Sequence, residues 1–112
     1  MNTIQQGHQY EQKAREYLLE QGYIIITSNY RYKHCEIDII ARSKEGIIHF
    51  IEVKYRKDDR YGYPESFVST AQQQRINIAA EQFLYENNIN NPIVFDIISI
   101  DKKGITFLQD AF

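Results

Sequence analysis

IIHFIEVKYR, residues 47–56, decides how the chain is read. Ile47, Ile48, Phe50, Ile51 and Val53 are β-branched or aromatic, the composition of a buried strand. Yet the run carries Glu52 and Lys54 near its end. Side chains alternate along a strand, so Glu52 and Lys54 project from one face and Val53 from the other. Flanked by Ile51 and Val53, they stand on an interior strand, where an unpaired charge is costly.

The preceding segment, EIDIIAR, residues 36–42, is a second strand, and SKEG, residues 43–46, turns the chain between the two. Glu36 and Asp38 share one face of it, opposite Ile37 and Ile39. Pairing of the two strands brings three carboxylates and one amine toward one place. One reading is a solvated edge with cross-strand ion pairs, each contributing a few tenths of a kcal/mol. The other is a hard cation that relieves the repulsion between the acids. Mg2+ prefers carboxylate and water oxygens, with Asp38, Glu52 and the Val53 carbonyl as its ligands. Lys54 would then stand by the attacking water and the charge that develops on a scissile phosphate.

Upstream, Tyr10, Ala14, Tyr17 and Leu18 form one stripe of a helix that Gly22 ends. Glu11 sits one position from that stripe and reaches toward the same pocket; its alternative is a surface acid favoured by the helix dipole. YIIIT, residues 23–27, reads as a strand and SNYRYKH as a polar turn. Downstream, residues 55–68 form a loop that interleaves Arg56, Lys57 and Arg60 with Tyr55, Tyr61 and Tyr63. Such a loop contacts phosphates and stacks on bases, or is simply solvated, with Asp58 and Asp59 diluting its charge. Ser69 or Thr70 caps a second helix, each with Gln three positions on, over a stripe of Ile76, Ala79, Ala80, Phe83 and Leu84. IVFDIISI, residues 93–100, is a strand, and a turn at Lys102–Gly104 leads into a last one, Ile105–Leu108. The order is αβββαββ. Helix 70–86 makes its two flanking strands parallel, so an α/β fold with a mixed central sheet and flanking helices is expected over residues 1–112 as a single domain.

Composition narrows the function. A chain of 112 residues holds one domain. The formal charge of -2 gives no general pull toward nucleic acid, so such a ligand needs a local basic patch or a metal ion. The lone Cys35 excludes an internal disulfide and fits a reducing compartment. MNTIQQGHQYEQKA has no signal-peptide character, and nothing approaches a membrane span; a cytoplasmic location is expected. His34–Cys35 is no nucleophile–base pair, because neighbours entering a strand point apart. His8 and His49 lack zinc spacing. Asp96 reads as a satisfied polar residue.

An acid in the first helix, then E-I-D, then E-V-K resembles the metal-dependent nuclease site of the restriction-endonuclease-like fold. More closely, the chain resembles, almost end to end, the small bacterial YraN-like family of uncharacterised proteins. The residues that carry this are Gly7, Glu11 and Ala14; Gly22-Tyr23; Asn29-Tyr30-Arg31; Glu36-Ile37-Asp38-Ile39-Ile40-Ala41; Phe50-Ile51-Glu52-Val53-Lys54-Tyr55-Arg56; Ala79-Ala80 with Phe83-Leu84; Phe95-Asp96; and Ala111-Phe112. The first-helix Glu also looks like the acid that Holliday-junction resolvases of this fold keep near their metal.

The resemblance implies an endonuclease acting on DNA or a branched nucleic acid with Mg2+ or Mn2+. Lys54, Glu52 and Asp38 would be catalytic; Asp38, Glu52, Glu11 and Glu36 would surround the metal; and Arg31, Arg56, Lys57, Arg60 and Tyr55 would bind nucleic acid. It also implies a homodimer, since nucleases of this fold commonly pair. The chain departs from the family at Tyr10 and Cys35, both usually Gly, at Gln72, usually Lys, and at Val94, usually Arg. Two basic positions are lost and no proposed metal ligand is. A non-catalytic nucleic-acid or protein binding module that keeps the fold is the alternative, and a pure assembly protein with an ionic edge is a third reading.

Overall fold

Ala14 and Leu18, the stripe of the first helix, are completely buried in the computed structural model, which describes residues 3–56 and 68–112. Helix α1, Thr3–Glu20, ends in a Schellman turn: Tyr23 N–H donates to Leu18 O and Gly22 N–H to Leu19 O, both at 3.0 Å. Gly22 takes the left-handed φ of 92° that this turn needs. The chain then enters strands β1, Ile24–Tyr32; β2, Cys35–Arg42; and β3, Ile48–Tyr55. After helix α2, Thr70–Glu86, come β4, Ile93–Asp101, and β5, Gly104–Leu108. The order αβββαββ is the expected one.

The described sheet runs β1-β2-β3-β4-β5. Neighbours pair antiparallel except β3 and β4, which are parallel from Ile48↔Ile93 to Tyr55↔Ile100. The crossover through α2 therefore does what a helix between adjacent strands is expected to do. Ser69, not Thr70, caps α2: its hydroxyl accepts from Gln72 N–H at 3.1 Å.

One expectation fails in length. SNYRYKH is not a turn; β1 runs on to Tyr32, and only Lys33 and His34 turn the chain. Pairing partners override the polar composition: Ser28, Tyr30 and Tyr32 lie opposite Ile39, Ile37 and Cys35, all buried. Tyr30 packs edge-on against Phe83 of α2, with ring centroids 5.2 Å apart.

Two apolar clusters fill the two faces of the sheet. Ile37, Ile40, Phe50 and Ile97 pack with Ile76, Ala79 and Phe83 of α2. Ile39, Ala41, Ile51 and Ile98 pack with Ala14 and Leu18 of α1. Ile37 and Ile39 thus lie on different faces, contrary to strict alternation. The irregularity falls at Asp38, where the pairing of β2 with β3 stops after Ile39↔Ile51 while β2 stays paired with β1 through Ile37 to Cys35.

A polar pair lies inside. His49 Nδ1 and Asp96 Oδ2 are 2.5 Å apart, with Asp96 fully buried. Asp96 Oδ1 accepts Asp110 N–H at 2.8 Å, which ties the C-terminal segment to β4. Asp96 is satisfied, as expected, but through a histidine that spacing alone leaves without a role. Cys35 is buried and free. No helix among the described residues is long and apolar enough to cross a membrane.

Candidate active site

Where β2 and β3 part, the side chain of Asp38 replaces the missing backbone partner. Its Oδ2 accepts Val53 N–H at 2.8 Å. Asp38 also shares a hydrogen bond with Glu52, and burial, that bond and the Glu52 charge together raise its carboxyl from the ordinary 3.8 to about 9. The Val53 amide pulls the other way, and Glu36 adds a smaller push upward. Two neighbouring carboxyl groups in a buried place do not both ionise cheaply, and the cost falls on Asp38. The acids of EID and EVK do meet, through Asp38 and Glu52.

Glu52 is 7% exposed, on the central strand. Its Oε2 accepts from Gln72 Nε2 of α2 at 2.7 Å, and Gln72 Oε1 in turn accepts from Lys54 Nζ at 3.4 Å. Glu52, Gln72 and Lys54 form one chain of contacts. Gln72 is thus not merely an absent phosphate contact; it joins the acid to the amine. The resemblance to the family marks the position only as one where lysine is usual.

Glu11 and Glu36 lie on the other flank. Burial first, then the charge of Asp38, raise the Glu11 carboxyl above its ordinary value; Arg15 pulls it back, Glu36 adds a smaller push upward and His8 a still smaller pull downward. Asn29, its amide nitrogen turned to the acids, donates to Glu11 Oε1 at 3.0 Å and to Glu36 Oε1 at 3.2 Å. In the register of β1 on β2, Asn29 falls opposite Asp38, and its φ of 54° interrupts the ladder there. Arg15, from α1, reaches Ser28 Oγ at 3.4 Å and helps fix the helix over β1. Nothing in the spacing of NYR signals Asn29's role, because a left-handed residue inside a strand has no sequence period.

The four acids do not form one preassembled cage: among the described residues, no three His, Cys, Asp or Glu side chains are grouped to hold a metal ion. The expected set of four resolves into the Asp38–Glu52 pair and the Glu11–Asn29–Glu36 group beside it. Glu36 is also engaged by Arg31, whose Nη2 lies 3.1 Å from Glu36 Oε2. The donor chemistry still suits Mg2+ or Mn2+, which take one or two protein carboxylates and fill the remainder with water and phosphate oxygens.

The expected nucleic-acid contacts are scattered. Arg31 is exposed on β1 but engaged by Glu36. Arg56 Nη1 donates to Tyr55 O at 3.0 Å and its amide to Ile100 O, which holds it at the end of β3. Tyr55 stacks on Tyr10. Lys57 and Arg60, with the rest of residues 57–67, lie outside the described residues. A groove of about 390 Å³ lined by Gly22, Arg42, Lys44 and Asn91 opens at the opposite end of the sheet and touches none of these acids.

The family model described as "Uncharacterised protein family UPF0102" matches residues 10–100. Relatives described as UPF0102 proteins agree over nearly full length. The one from Clostridioides difficile is 41% identical over 115 residues, covering all of both chains. That from Lachnoclostridium phytofermentans is 39% identical over 114 residues, all of this chain and 96% of the relative. That from Cytophaga hutchinsonii is 45% identical over 100 residues, 89% of this chain and 88% of the relative.

Proposed function

The chain belongs to the uncharacterised protein family UPF0102, the YraN-like family that its motifs resemble, and we propose that it is a metal-dependent endonuclease that hydrolyses phosphodiester bonds in DNA or a branched nucleic acid. The observation that carries this reading is the Asp38–Glu52 pair: two carboxyl groups hydrogen-bonded to each other, with Lys54 joined to them through Gln72.

Asp38 and Glu52 would hold Mg2+ or Mn2+, and Glu11 or Glu36 would complete the oxygen shell. When bound, the ion polarises the scissile phosphate and makes water a better nucleophile. Asp38 would give up its proton when the ion binds. Lys54 brings an ammonium to the place where negative charge builds on the phosphate. Gln72 sets the spacing between that ammonium and Glu52, and Val53 N–H keeps the Asp38 carboxylate turned toward its partner.

A cleavage assay on branched, single-stranded and double-stranded DNA with Mn2+ tests this. The wild type cuts at least one substrate, and Lys54→Ala lowers the rate by about 10²–10³, the scale of losing one charge-stabilising group. No cutting by the wild type, or undiminished cutting by Lys54→Ala, rejects the proposal. The net charge of -2 favours a second reading, a binding module that keeps the fold without the chemistry. That module would bind its partner equally well with chelator present and with Glu52→Gln.

A further inference from the structure

Two separate requirements meet in Asn29. Its backbone holds a left-handed φ of 54° inside β1, a conformation that glycine, asparagine and aspartate take most readily. Its amide nitrogen donates to two carboxylates at once, Glu11 Oε1 at 3.0 Å and Glu36 Oε1 at 3.2 Å. Glycine meets the first requirement and has no donor. Aspartate meets it and would set a third carboxylate against the other two. Asparagine meets both, because its NH2 group carries two donor hydrogens and no charge. A neutral donor also leaves the negative charge of the acids in place, where an ammonium or guanidinium would cancel part of it.

The two acids that it joins are not equivalent. Glu36 has both oxygens engaged, Oε1 by Asn29 and Oε2 by Arg31 Nη2. Glu11 has Oε1 on Asn29, and among the described residues its Oε2 meets no donor. Glu11 belongs to α1 and Asn29 to β1, so the bridge crosses between elements, as the contact of Arg15 with Ser28 Oγ does beside it. In the register of β1 on β2, Asn29 falls opposite Asp38, so the Glu11 carboxylate is held at the level of Asp38. A glutamate side chain left to itself samples several rotamers, and ordering it costs entropy. A hydrogen bond to one oxygen removes most of that freedom in advance and leaves the other oxygen for a ligand, which is how outer partners orient metal-binding carboxylates.

We infer that Asn29 is a positioning residue of the proposed metal site. Tethered through Glu36 to Arg31, it holds Glu11 at the level of Asp38 with one oxygen left for the ion, and Glu36 supports this bridge rather than joining the oxygen shell. The inference rests on the reading of Asp38 and Glu52 as a metal site.

The test is a titration of the metal-free full chain with Mn2+ alone, followed by loss of the electron paramagnetic resonance signal of the free ion. The wild type binds Mn2+, and Glu11→Gln binds it more weakly. Asn29→Gly keeps the left-handed backbone and drops the donor. Its affinity for Mn2+ falls roughly ten- to one-hundred-fold, the scale of losing a group that orients a metal ligand. A merely structural role would weaken binding by the same factor with or without Glu11. A positioning role acts through Glu11, so Asn29→Gly adds nothing once Glu11→Gln is in place. Glu36→Gln keeps an oxygen for the Asn29 amide and weakens binding less than Glu11→Gln does.

Wild-type affinity in Asn29→Gly or in Glu11→Gln overturns the inference and leaves Asp38 and Glu52 as a metal site. So does a loss in Asn29→Gly that adds in full to that of Glu11→Gln, or a Glu36→Gln as weak as Glu11→Gln. A wild type that binds no Mn2+ overturns the metal reading and the inference together. If Asn29→Gly fails to fold, Glu36→Leu removes the far end of the bridge at a half-exposed side chain and replaces it in the same pair of measurements. It has to lose affinity where Glu11 is present and lose no more in the Glu11→Gln background; any other result overturns the inference.

Discussion

The Asp38 carboxylate accepts the backbone amide of Val53 at 2.8 Å, at the point where β2 and β3 stop pairing. A side chain thereby substitutes for a rung of the sheet. The same contact keeps Asp38 against Glu52, so the electrostatic cost of the site follows from its architecture.

That cost is visible in pH. Burial, aided by Glu52, raises the Asp38 carboxyl from 3.8 to about 9. Between these values the folded protein holds a proton that the unfolded chain has released. Its stabilising contribution is whole below about pH 4 and is lost as pH rises toward 9. Relative to Asp38→Asn, the wild type in EDTA should lose stability across that window, by at most about 1.4 kcal/mol per pH unit. Urea denaturation of both proteins from pH 5 to pH 9 measures it; a constant difference between them contradicts the raised Asp38 carboxyl.

A divalent ion should relieve the same strain. With Mn2+ at about one hundred times its dissociation constant, binding adds about 2.7 kcal/mol and raises Tm by roughly 10 °C for a chain of this length. Asp38→Asn and Glu52→Gln should show no such rise. Differential scanning fluorimetry with and without Mn2+ reads the outcome, and an equal rise in all three proteins would place the ion elsewhere.

Gln72→Leu removes the hydrogen-bond partner of a carboxylate that is 7% exposed. Leaving Glu52 unsatisfied should cost roughly 1–3 kcal/mol in urea denaturation. Gln72→Lys can still donate to Glu52 and should recover most of this. If Gln72→Leu is as stable as the wild type, the bridge to Glu52 contributes nothing.

His49→Ala strips the fully buried Asp96 of its side-chain partner and leaves a void against Tyr23, whose ring meets the imidazole edge-on at 5.0 Å. The expected loss is about 3–5 kcal/mol. His49→Asn, able to keep a hydrogen bond, should lose less. Chemical denaturation curves of the two variants give the comparison.

Periodicity sufficed for α2, whose stripe and capping residues place it at 70–86, where it lies. It also sufficed for the parallel strands that α2 connects. It failed for β1, because Ser28 to Tyr32 are polar by composition and become strand only through buried partners on β2. The pairing of Asp38 with Glu52 was legible because both residues stand at a fixed phase of adjoining strands. Gln72 and Asn29 were not legible as parts of the site. One reaches it across the helix–sheet interface and the other through a backbone twist, and neither leaves a local period. His49 and Asp96 stand forty-seven positions apart and meet only because β3 and β4 run side by side.

The parting of β2 from β3 has a mechanical consequence. The two strands act as the arms of a caliper, hinged at Ile39 and Ile51, with one carboxyl at each tip. Its opening is set by how the apolar residues below the hinge fit together, so a methyl group lost at Ile40, or the ring lost at Phe50, would retune the gap between the acids without touching either.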